Sequence, residues 1–283
     1  MSKDFFGIVL GIVQDGGYPH VGSLNVKQQE YFQNAIIKEK ITCLGIVDRI
    51  EKKSFLIDAT PHLPYQLDKL SELSKNPLSG ILITHTHWGH IGGLGWLSKE
   101  GLNHQNFKIF SSCDNISIIK KYCDIFEFNT NIFFEKIKEG NLFHLTRNIT
   151  ATAVRVPHRA KGDTFGYVIA TGDRKIGYFP DCDSLQKWKG DFLKILHEVD
   201  VFYLDGTFWN RKELDSRNIN SVPHPFVENL IEDLKDLSVE MKRKLKFIHL
   251  NQTNPLLDKS SSEFKKLREN HFGVAEDGEL TFL

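Results

Sequence analysis

Three histidines stand within six residues, directly after an apolar segment that predicts a buried strand. His85, His87 and His90 follow the strand that is predicted over Gly80 to Thr84. Because alternate side chains of an extended chain point to the same side, His85 and His87 can reach one common point. His90 falls where the chain is predicted to turn into a helix. Imidazole is a favoured ligand of zinc and iron, so the sequence predicts a metal site at the end of this strand.

The pattern of predicted strands and helices on either side of this loop favours an α/β (α+β) fold. Short apolar runs predict hairpins over 43–57 and 166–179, and leucines at helical spacing predict a helix over 62–74. The same alternation recurs in the C-terminal half, where a helix is predicted to begin with Pro225 at its N1 position. Two packed sheets with helices outside satisfy this pattern. Since no linker is visible, residues 1–283 are predicted to form one domain.

Composition and charge exclude several other classes of protein. The 36 lysines and arginines balance 36 aspartates and glutamates, so nothing in the net charge favours duplex nucleic acid as a partner. The four cysteines form no CxxC pair and predict reduced thiols. No apolar run reaches the ~20 residues that span a bilayer, and the N-terminus lacks the pattern of a secretory signal. We therefore expect a cytoplasmic protein without a membrane partner. The sequence leaves the oligomeric state open, a homodimer included.

The histidine loop, followed by Gly92, Gly93 and Leu94, resembles the metal-binding motif of the metallo-β-lactamase superfamily. The resemblance implies a four-layer αββα sandwich, and later landmarks of the superfamily are similar to further segments of this chain in the same order. It also implies that Asp58 supports the metal loop. Asp181 is preferred over Asp183 as the shared carboxylate, because it comes first after its strand; the alternative for Asp183 is a helix cap. The metal ligands that the resemblance implies are His85, His87, His90, His158, Asp181 and His249.

One position departs from the pattern of the superfamily. Gly89 stands where the motif His-x-His-x-Asp-His has an aspartate that binds the second metal ion. The loss of one negative charge predicts two sites of unequal affinity, of which the second is the weaker. We expect one or two divalent ions, most simply zinc, with iron or manganese as alternatives. The first site would keep His85, His87 and His158 with Asp181 shared, and the second would keep His90, Asp181 and His249.

Segments around Gln14, His224 and Asn251 resemble, more narrowly, the branch of the superfamily that contains pyrroloquinoline quinone biosynthesis protein B. His224 is a candidate substrate-facing acid, with a capping or loop histidine as the alternative. Asp15 is a candidate for the site, although turn chemistry beside a Gly-Gly pair also explains it. Asn251 is a candidate for contacting a ligand side chain or the substrate. The segment 205–209 is similar to one near the metals, with a strand-ending turn as the equal alternative.

The resemblance implies a metal-dependent hydrolase, in which a metal-bound hydroxide attacks a small ester, lactone or phosphodiester. Asp181 would orient this nucleophile, so that Asp181 and His224 are the predicted catalytic residues. An iron-dependent oxidase or hydroxylase in pyrroloquinoline quinone-type cofactor biosynthesis is the first alternative. A non-catalytic metal-binding protein is the second. The expected partner is a small-molecule substrate.

Overall fold

The strands of the protein divide evenly between two sheets. The structure, a computed structural model, describes residues 4–103, 106–126, 128, 132–172, 174–214 and 224–283. The strands in the first half of the chain are β1 (Phe5–Gly11), β2 (Cys43–Asp48), β3 (Lys53–Ile57), β4 (Leu78–Leu82), β5 (Phe107–Ser111) and β6 (Ile132–Lys136). Those in the second half are β7 (Leu142–His144), β8 (Thr150–Arg155), β9 (Phe165–Thr171), β10 (Arg174–Phe179), β11 (Val201–Asp205), β12 (Leu245–Ile248), β13 (Gly273–Val274) and β14 (Leu280–Phe282).

Both sheets are mixed. Among the residues that the structure describes, the first has seven strands in the order β14, β1, β2, β3, β4, β5, β6. The second has seven in the order β13, β12, β11, β10, β9, β8, β7. Strands β3 to β6 are parallel in the first sheet, and β10 to β13 are parallel in the second. The predicted hairpins are the antiparallel pairs β2–β3 and β9–β10. Each sheet therefore has a parallel half in which neighbouring strands end at one edge.

The helices follow the sequence prediction in part. They are α1 (Val26–Gln33), α2 (Leu63–Ser74), α3 (Trp88–Ile91), α4 (Cys113–Ile125), α5 (Lys189–Glu198), α6 (Val227–Asp233), α7 (Val239–Lys244) and α8 (Ser262–Glu269). The prediction for Pro225 is wrong: Phe226 is the N-cap of α6, so Pro225 precedes the cap. A β-bridge with Phe208 keeps Phe226 extended, which delays the start of the helix. Among the described residues, no helix is both long and apolar enough to cross a membrane.

Three apolar layers hold the sheets and helices together. The middle layer lies between the sheets and joins Phe55 of the first to Tyr178 of the second. The side chain of the next residue, Leu56, belongs instead to an outer layer that includes residues of α2 and α4. A second outer layer joins α5 and α6 to the other sheet. This alternation of side chains gives the four-layer αββα sandwich that was predicted.

Candidate metal centre

The candidate site lies where the parallel strands of both sheets end. Asp58 follows β3 and the histidine loop follows β4, while Asp181 follows β10 and His249 follows β12. Asp205 is the last residue of β11. Since neighbouring parallel strands end at the same edge, each sheet brings its polar residues to one place, and the two places face each other.

The first group of imidazoles is His85, His87 and His158. Their nitrogen atoms lie within 4.8 Å of one another. The closest pair is His87 Nδ1 and His158 Nε2, which are 3.3 Å apart. Burial and the neighbouring imidazoles lower the pKa of His85 and that of His87. Both rings are therefore neutral near pH 7, which is the form that binds a metal ion.

The second group is Asp15, His90 and His249. Asp15 Oδ1 lies 3.3 Å from His90 Nε2 and 3.5 Å from His249 Nε2. These three atoms also lie within 4.8 Å of one another. The structure thus brings Asp15 to the two histidines that were predicted for the second site.

Asp181 lies between the two groups. One carboxylate oxygen, Oδ2, is 3.2 Å from His90 Nε2, and the other, Oδ1, is 3.5 Å from His249 Nε2. Oδ1 is also 3.7 Å from His158 Nε2 in the first group. A carboxylate in this position can contribute to two ions at once, as predicted for Asp181.

The donor atoms of the site fit a divalent metal. Several buried donor atoms face the space between the groups and form no hydrogen bond within the described part of the chain: Asp15 Oδ1, His85 Nε2, His90 Nε2, Asp181 Oδ2 and His249 Nε2. A buried polar atom without a partner is destabilising, so such a set at one point indicates a missing ligand. Imidazole nitrogen and carboxylate oxygen are the usual ligands of zinc.

A buried aspartate and a threonine hold two of the histidines in the first sheet. Asp58 Oδ2 accepts a hydrogen bond from His90 Nδ1 at 2.7 Å. Thr84 donates to Asp58 through its amide and its hydroxyl, at 2.8 and 2.9 Å. The hydroxyl oxygen in turn accepts from His85 Nδ1 at 3.1 Å. Each ring thereby presents Nε2 to the site, because its Nδ1 carries the proton.

The second sheet repeats this arrangement with Asp205 and Thr207. Asp205 Oδ1 accepts from the amide and the hydroxyl of Thr207, at 2.9 and 2.7 Å, and Oδ2 accepts from His224 Nδ1 at 2.7 Å. The hydroxyl oxygen of Thr207 accepts from His249 Nδ1 at 2.9 Å. Both oxygens of Asp205 are therefore occupied by donors of the chain, which leaves Asp205 a supporting residue rather than a ligand.

The charge on this second arrangement is fixed by close contact. Burial alone would lower the pKa of His224, but the adjacent Asp205 carboxylate raises it to about 9. Burial would raise the pKa of Asp205, but His224 lowers it to about 2. At neutral pH the pair is an imidazolium and a carboxylate. The ring of His224 lies 5.6 Å from that of His158 and 5.8 Å from that of His249, beside both groups.

A family model described as "Beta-lactamase superfamily domain" matches residues 53–250 of the chain. The match covers more than half of the sequence and contains most of the polar residues of the site. The chain belongs to the β-lactamase superfamily. The predicted family and fold class are confirmed.

Within the superfamily, similar proteins carry the name coenzyme PQQ synthesis protein B. The one from Xanthomonas campestris pv. campestris (strain B100) is 24% identical over 308 residues, which are 96% of this chain and 97% of the relative. The one from Xanthomonas oryzae pv. oryzae (strain MAFF 311018) is 26% identical over 313 residues, with the same shares covered. The narrower resemblance seen in the sequence is thus confirmed as a resemblance.

Solved structures of the superfamily superpose along most of the chain. Zinc-bound PqqB from Methylobacterium extorquens gives a TM-score of 0.82 at 17% identity, covering 98% of this chain and 100% of that one. A diphosphatase of the PhnP family gives a TM-score of 0.69 at 17% identity, covering 99% and 97%. At these identities the likeness establishes the fold alone.

The departure of this chain from the superfamily pattern has a structural counterpart. A Cβ atom on Gly89 would overlap the carboxylate of Asp15 and lie 2.8 Å from the Cβ of Asp15. The expected loss of negative charge beside His90 is therefore wrong, because Asp15 brings a carboxylate to the same space. The unequal affinity of the two sites stays a prediction.

Two other residues have roles that differ from the simplest expectation. Asp183 does not cap the following turn, since its Oδ1 accepts from His158 Nδ1 at 2.7 Å and so orients that ligand. Asn251 forms hydrogen bonds with the side chains of Gln14 and Thr253, at 3.4 and 2.6 Å. Asn251 thereby ties the loop of Asp15 to the loop after β12.

Sequence reasoning missed the role of Thr84 and left that of Thr207 undecided. Each is a threonine near the end of a strand, and nothing in the local sequence distinguishes it from a core threonine. A Thr directly before the first motif histidine is the signal that could have indicated Thr84. For Thr207, the signal is its place two residues after an aspartate that ends a strand.

Proposed function

We propose that the protein is a metal-dependent hydrolase of a small ester, lactone or phosphodiester, with Asp181 and His224 as its catalytic residues. The observation that carries the proposal is the position of Asp181. Its two oxygens face ligand sets on both sides, at 3.2 to 3.7 Å. Two sites that share one carboxylate are typical of sites that activate water between two ions.

In the proposed reaction, the residues of the site have different roles. Divalent ions bound here would lower the pKa of a water molecule and polarise the bond to be broken. Asp181 orients the attacking group between the two ligand sets. Asp58, Thr84 and Thr207 keep the imidazoles in the tautomer that binds a metal, since each contacts a ring at Nδ1.

His224 is the general acid of the proposed reaction. Because Asp205 holds its pKa at about 9, the ring carries a proton at neutral pH that it can donate to the leaving group. An imidazolium beside the ligand sets also attracts an anionic group of the substrate.

A cavity next to the ligands suits a small substrate. Its volume is about 280 Å³, and His224 and Asp183 form part of its lining together with Phe226 and Leu230. The lining thus combines polar and apolar side chains. A pocket of this kind orients a small molecule by few contacts.

A second function is favoured by the relatives. Proteins named coenzyme PQQ synthesis protein B match 96% of the chain, which supports a role in the synthesis of such a cofactor. We propose an oxidase or hydroxylase as that role. That reaction would use iron and oxygen in the same ligand sets. If neither reaction occurs, the remaining alternative is a metal-binding protein without catalytic activity.

The substitution His87→Ala tests the hydrolase. We expect turnover of an ester, a lactone and a phosphodiester substrate to fall at least about 10²-fold, because even residues that only support a ligand cost about 10- to 100-fold. The control is His197→Ala, an exposed position on α5, which should leave turnover unchanged. Thermal unfolding of both variants should resemble that of the wild type.

The metal and the reaction discriminate between the alternatives. Zinc or manganese in the purified protein, with turnover of one of these substrates, supports the hydrolase. Iron in the purified protein, together with oxygen consumption, would instead support the oxidase or hydroxylase. Full metal loading without any turnover, or wild-type rates in His87→Ala, would refute catalysis at this site.

A further inference from the structure

We infer that Asp15 is a ligand of the second metal ion and replaces the carboxylate that position 89 no longer provides. The inference rests on the metal binding within the proposed function and not on the reaction. It assigns the ligand to the loop after β1, outside the histidine motif. Three observations carry it: shared space, the spacing of the donor atoms, and the contacts that fix the loop.

The first observation is that Asp15 fills the place of a side chain at position 89. A Cβ on Gly89 would overlap the Asp15 carboxylate, with Asp15 Cβ only 2.8 Å away. Contacts below 3.0 Å are essentially absent between real Cβ atoms and their neighbours. The two positions therefore cannot both carry a side chain here, and a carboxylate from one excludes a carboxylate from the other.

The second observation is the spacing of the donor atoms. Ligands about 2.0–2.2 Å from a tetrahedral zinc ion lie roughly 3.3–3.6 Å from one another. Asp15 Oδ1 is 3.3 Å from His90 Nε2 and 3.5 Å from His249 Nε2. Direct charge-assisted hydrogen bonds are shorter, at about 2.7–2.9 Å.

Asp15 Oδ1 also lacks a hydrogen-bond partner among the described residues. This oxygen is buried, and the facing Nε2 atoms of His90 and His249 are likewise buried without such a partner. Three buried donor atoms that approach one another without bonding indicate an ion between them. Asp181 Oδ2, 3.2 Å from His90 Nε2, is a further buried atom without a hydrogen-bond partner among the described residues.

The third observation is that the loop of Asp15 is held against the segment that follows His249. The amide of Gln14 donates to the carbonyl of Leu250 at 3.0 Å, and its side-chain amide donates to Asn251 Oδ1 at 3.4 Å. Val13 forms a β-bridge with Leu250. The two residues before Asp15 are thus fixed to the two residues after His249, by backbone contacts and one side-chain hydrogen bond.

An exchange of the two side chains tests the inference by metal binding. Metal-free wild type, Asp15→Asn, and the double variant Asp15→Gly with Gly89→Asp are titrated with Zn²⁺, and bound metal is counted by elemental analysis. We expect two ions per wild-type chain. In Asp15→Asn the first ion should bind as before, and the second at least about 10-fold more weakly. The double variant should recover most of the lost affinity.

Two further variants make the result specific. Asp68→Asn removes the same charge from an exposed position on α2 and should leave both affinities unchanged. Gly89→Asp alone places two carboxylates in one space and should lower the melting temperature of the metal-free protein. If the double variant does not fold, Asp15→Asn compared with Asp68→Asn decides.

Two equally tight ions in Asp15→Asn would overturn the inference, as would a wild-type chain that binds one ion only. A folded double variant that binds the second ion no better than Asp15→Asn would do the same. Loss of the proposed hydrolase is a separate result: normal binding of two ions without turnover refutes the reaction and leaves Asp15 as a ligand.

Discussion

In each sheet, an aspartate–threonine pair at the ends of the parallel strands orients two imidazoles. The rings that contact the two aspartates have different proposed roles. In both, the threonine donates to the aspartate through its amide and its hydroxyl. In both, one ring contacts the threonine oxygen and another contacts the aspartate. The first pair is Asp58 and Thr84, with His85 and His90; the second is Asp205 and Thr207, with His249 and His224.

The difference lies in what the ring on the aspartate faces. His90 is fully buried, and its free nitrogen points at the carboxylates of Asp15 and Asp181. His224 is 12% exposed and lines a cavity. The same local contacts therefore hold a proposed metal ligand in one sheet and a proposed general acid in the other. The surroundings of the ring, and not its immediate partner, set its role.

The largest effect is expected from removing the aspartate of the first pair. Asp58→Ala leaves His90 and Thr84 without their buried acceptor, and breaking a buried charged pair in this way costs about 3–5 kcal/mol. Urea unfolding of the metal-free protein measures the free energy of unfolding. Asp68→Ala, at an exposed position, should change it by less than about 0.5 kcal/mol. A loss below about 1 kcal/mol in Asp58→Ala would show that the first pair does not stabilise the fold.

The proton on His224 should make stability depend on pH. Its pKa is about 9 in the folded protein, against about 6.5 for a free histidine side chain. A raised pKa stabilises the fold fully below pH 6.5, and this contribution is lost as the pH rises to 9. The stability difference between wild type and His224→Gln should therefore shrink between pH 6 and pH 10, by an amount on the order of 3 kcal/mol. Metal-free protein is used, and the readout is urea unfolding.

The matched control for this pH effect is His197→Gln on the surface of α5. It should differ from the wild type by the same small amount at both pH values. A stability difference for His224→Gln that stays constant from pH 6 to pH 10 would contradict a protonated ring in the second pair.

Metal should stabilise the folded protein by a similar or smaller amount. A free metal concentration 100 times the dissociation constant adds about 2.7 kcal/mol to the free energy of unfolding. Because His90 is a proposed ligand and His224 is not, this gain should fall in Asp58→Ala and persist in His224→Gln. Unfolding with zinc and with a chelator gives the two values. An equal stabilisation by zinc in both variants would contradict the proposal that the first pair orients a ligand on its aspartate and the second pair does not.

The smallest effect is expected at the threonine of the second pair. Thr207→Val removes the hydroxyl between Asp205 and His249 and should cost about 1–2 kcal/mol, because two buried groups lose a partner. The control is Thr164→Val, since the buried hydroxyl of Thr164 has no hydrogen-bond partner among the described residues. Equal losses of unfolding free energy in the two variants would mean that the hydrogen bonds of the Thr207 hydroxyl do not stabilise the fold.

The sequence predicted the parts of the site that are local or that follow a known pattern. His85, His87 and His90 are close in the chain and come directly after a strand, so spacing alone indicated a ligand set. His158 and His249 were found by resemblance, since nothing near them signals a ligand. The strands and hairpins were predictable because alternating apolar residues have to cover two sheet faces.

Other features depend on tertiary contacts that one sequence does not display. The position of Asp15 follows from the empty space at Gly89, which exists only once the first loop packs on the histidine loop. Helix α1 was not predicted, because Gln28 is its one buried residue and it lacks an apolar stripe. The hydroxyl contacts of Thr84 and Thr207 likewise join residues whose proximity arises on folding.

The division of the ligands between two sheets also has a consequence during synthesis. His85 leaves the ribosome soon after β4 of the first sheet, whereas His249 follows β12 of the second. A nascent chain therefore exposes an incomplete set of donors for most of its translation. The complete set of proposed ligands therefore forms only after His249 has been made and the two sheets have packed together.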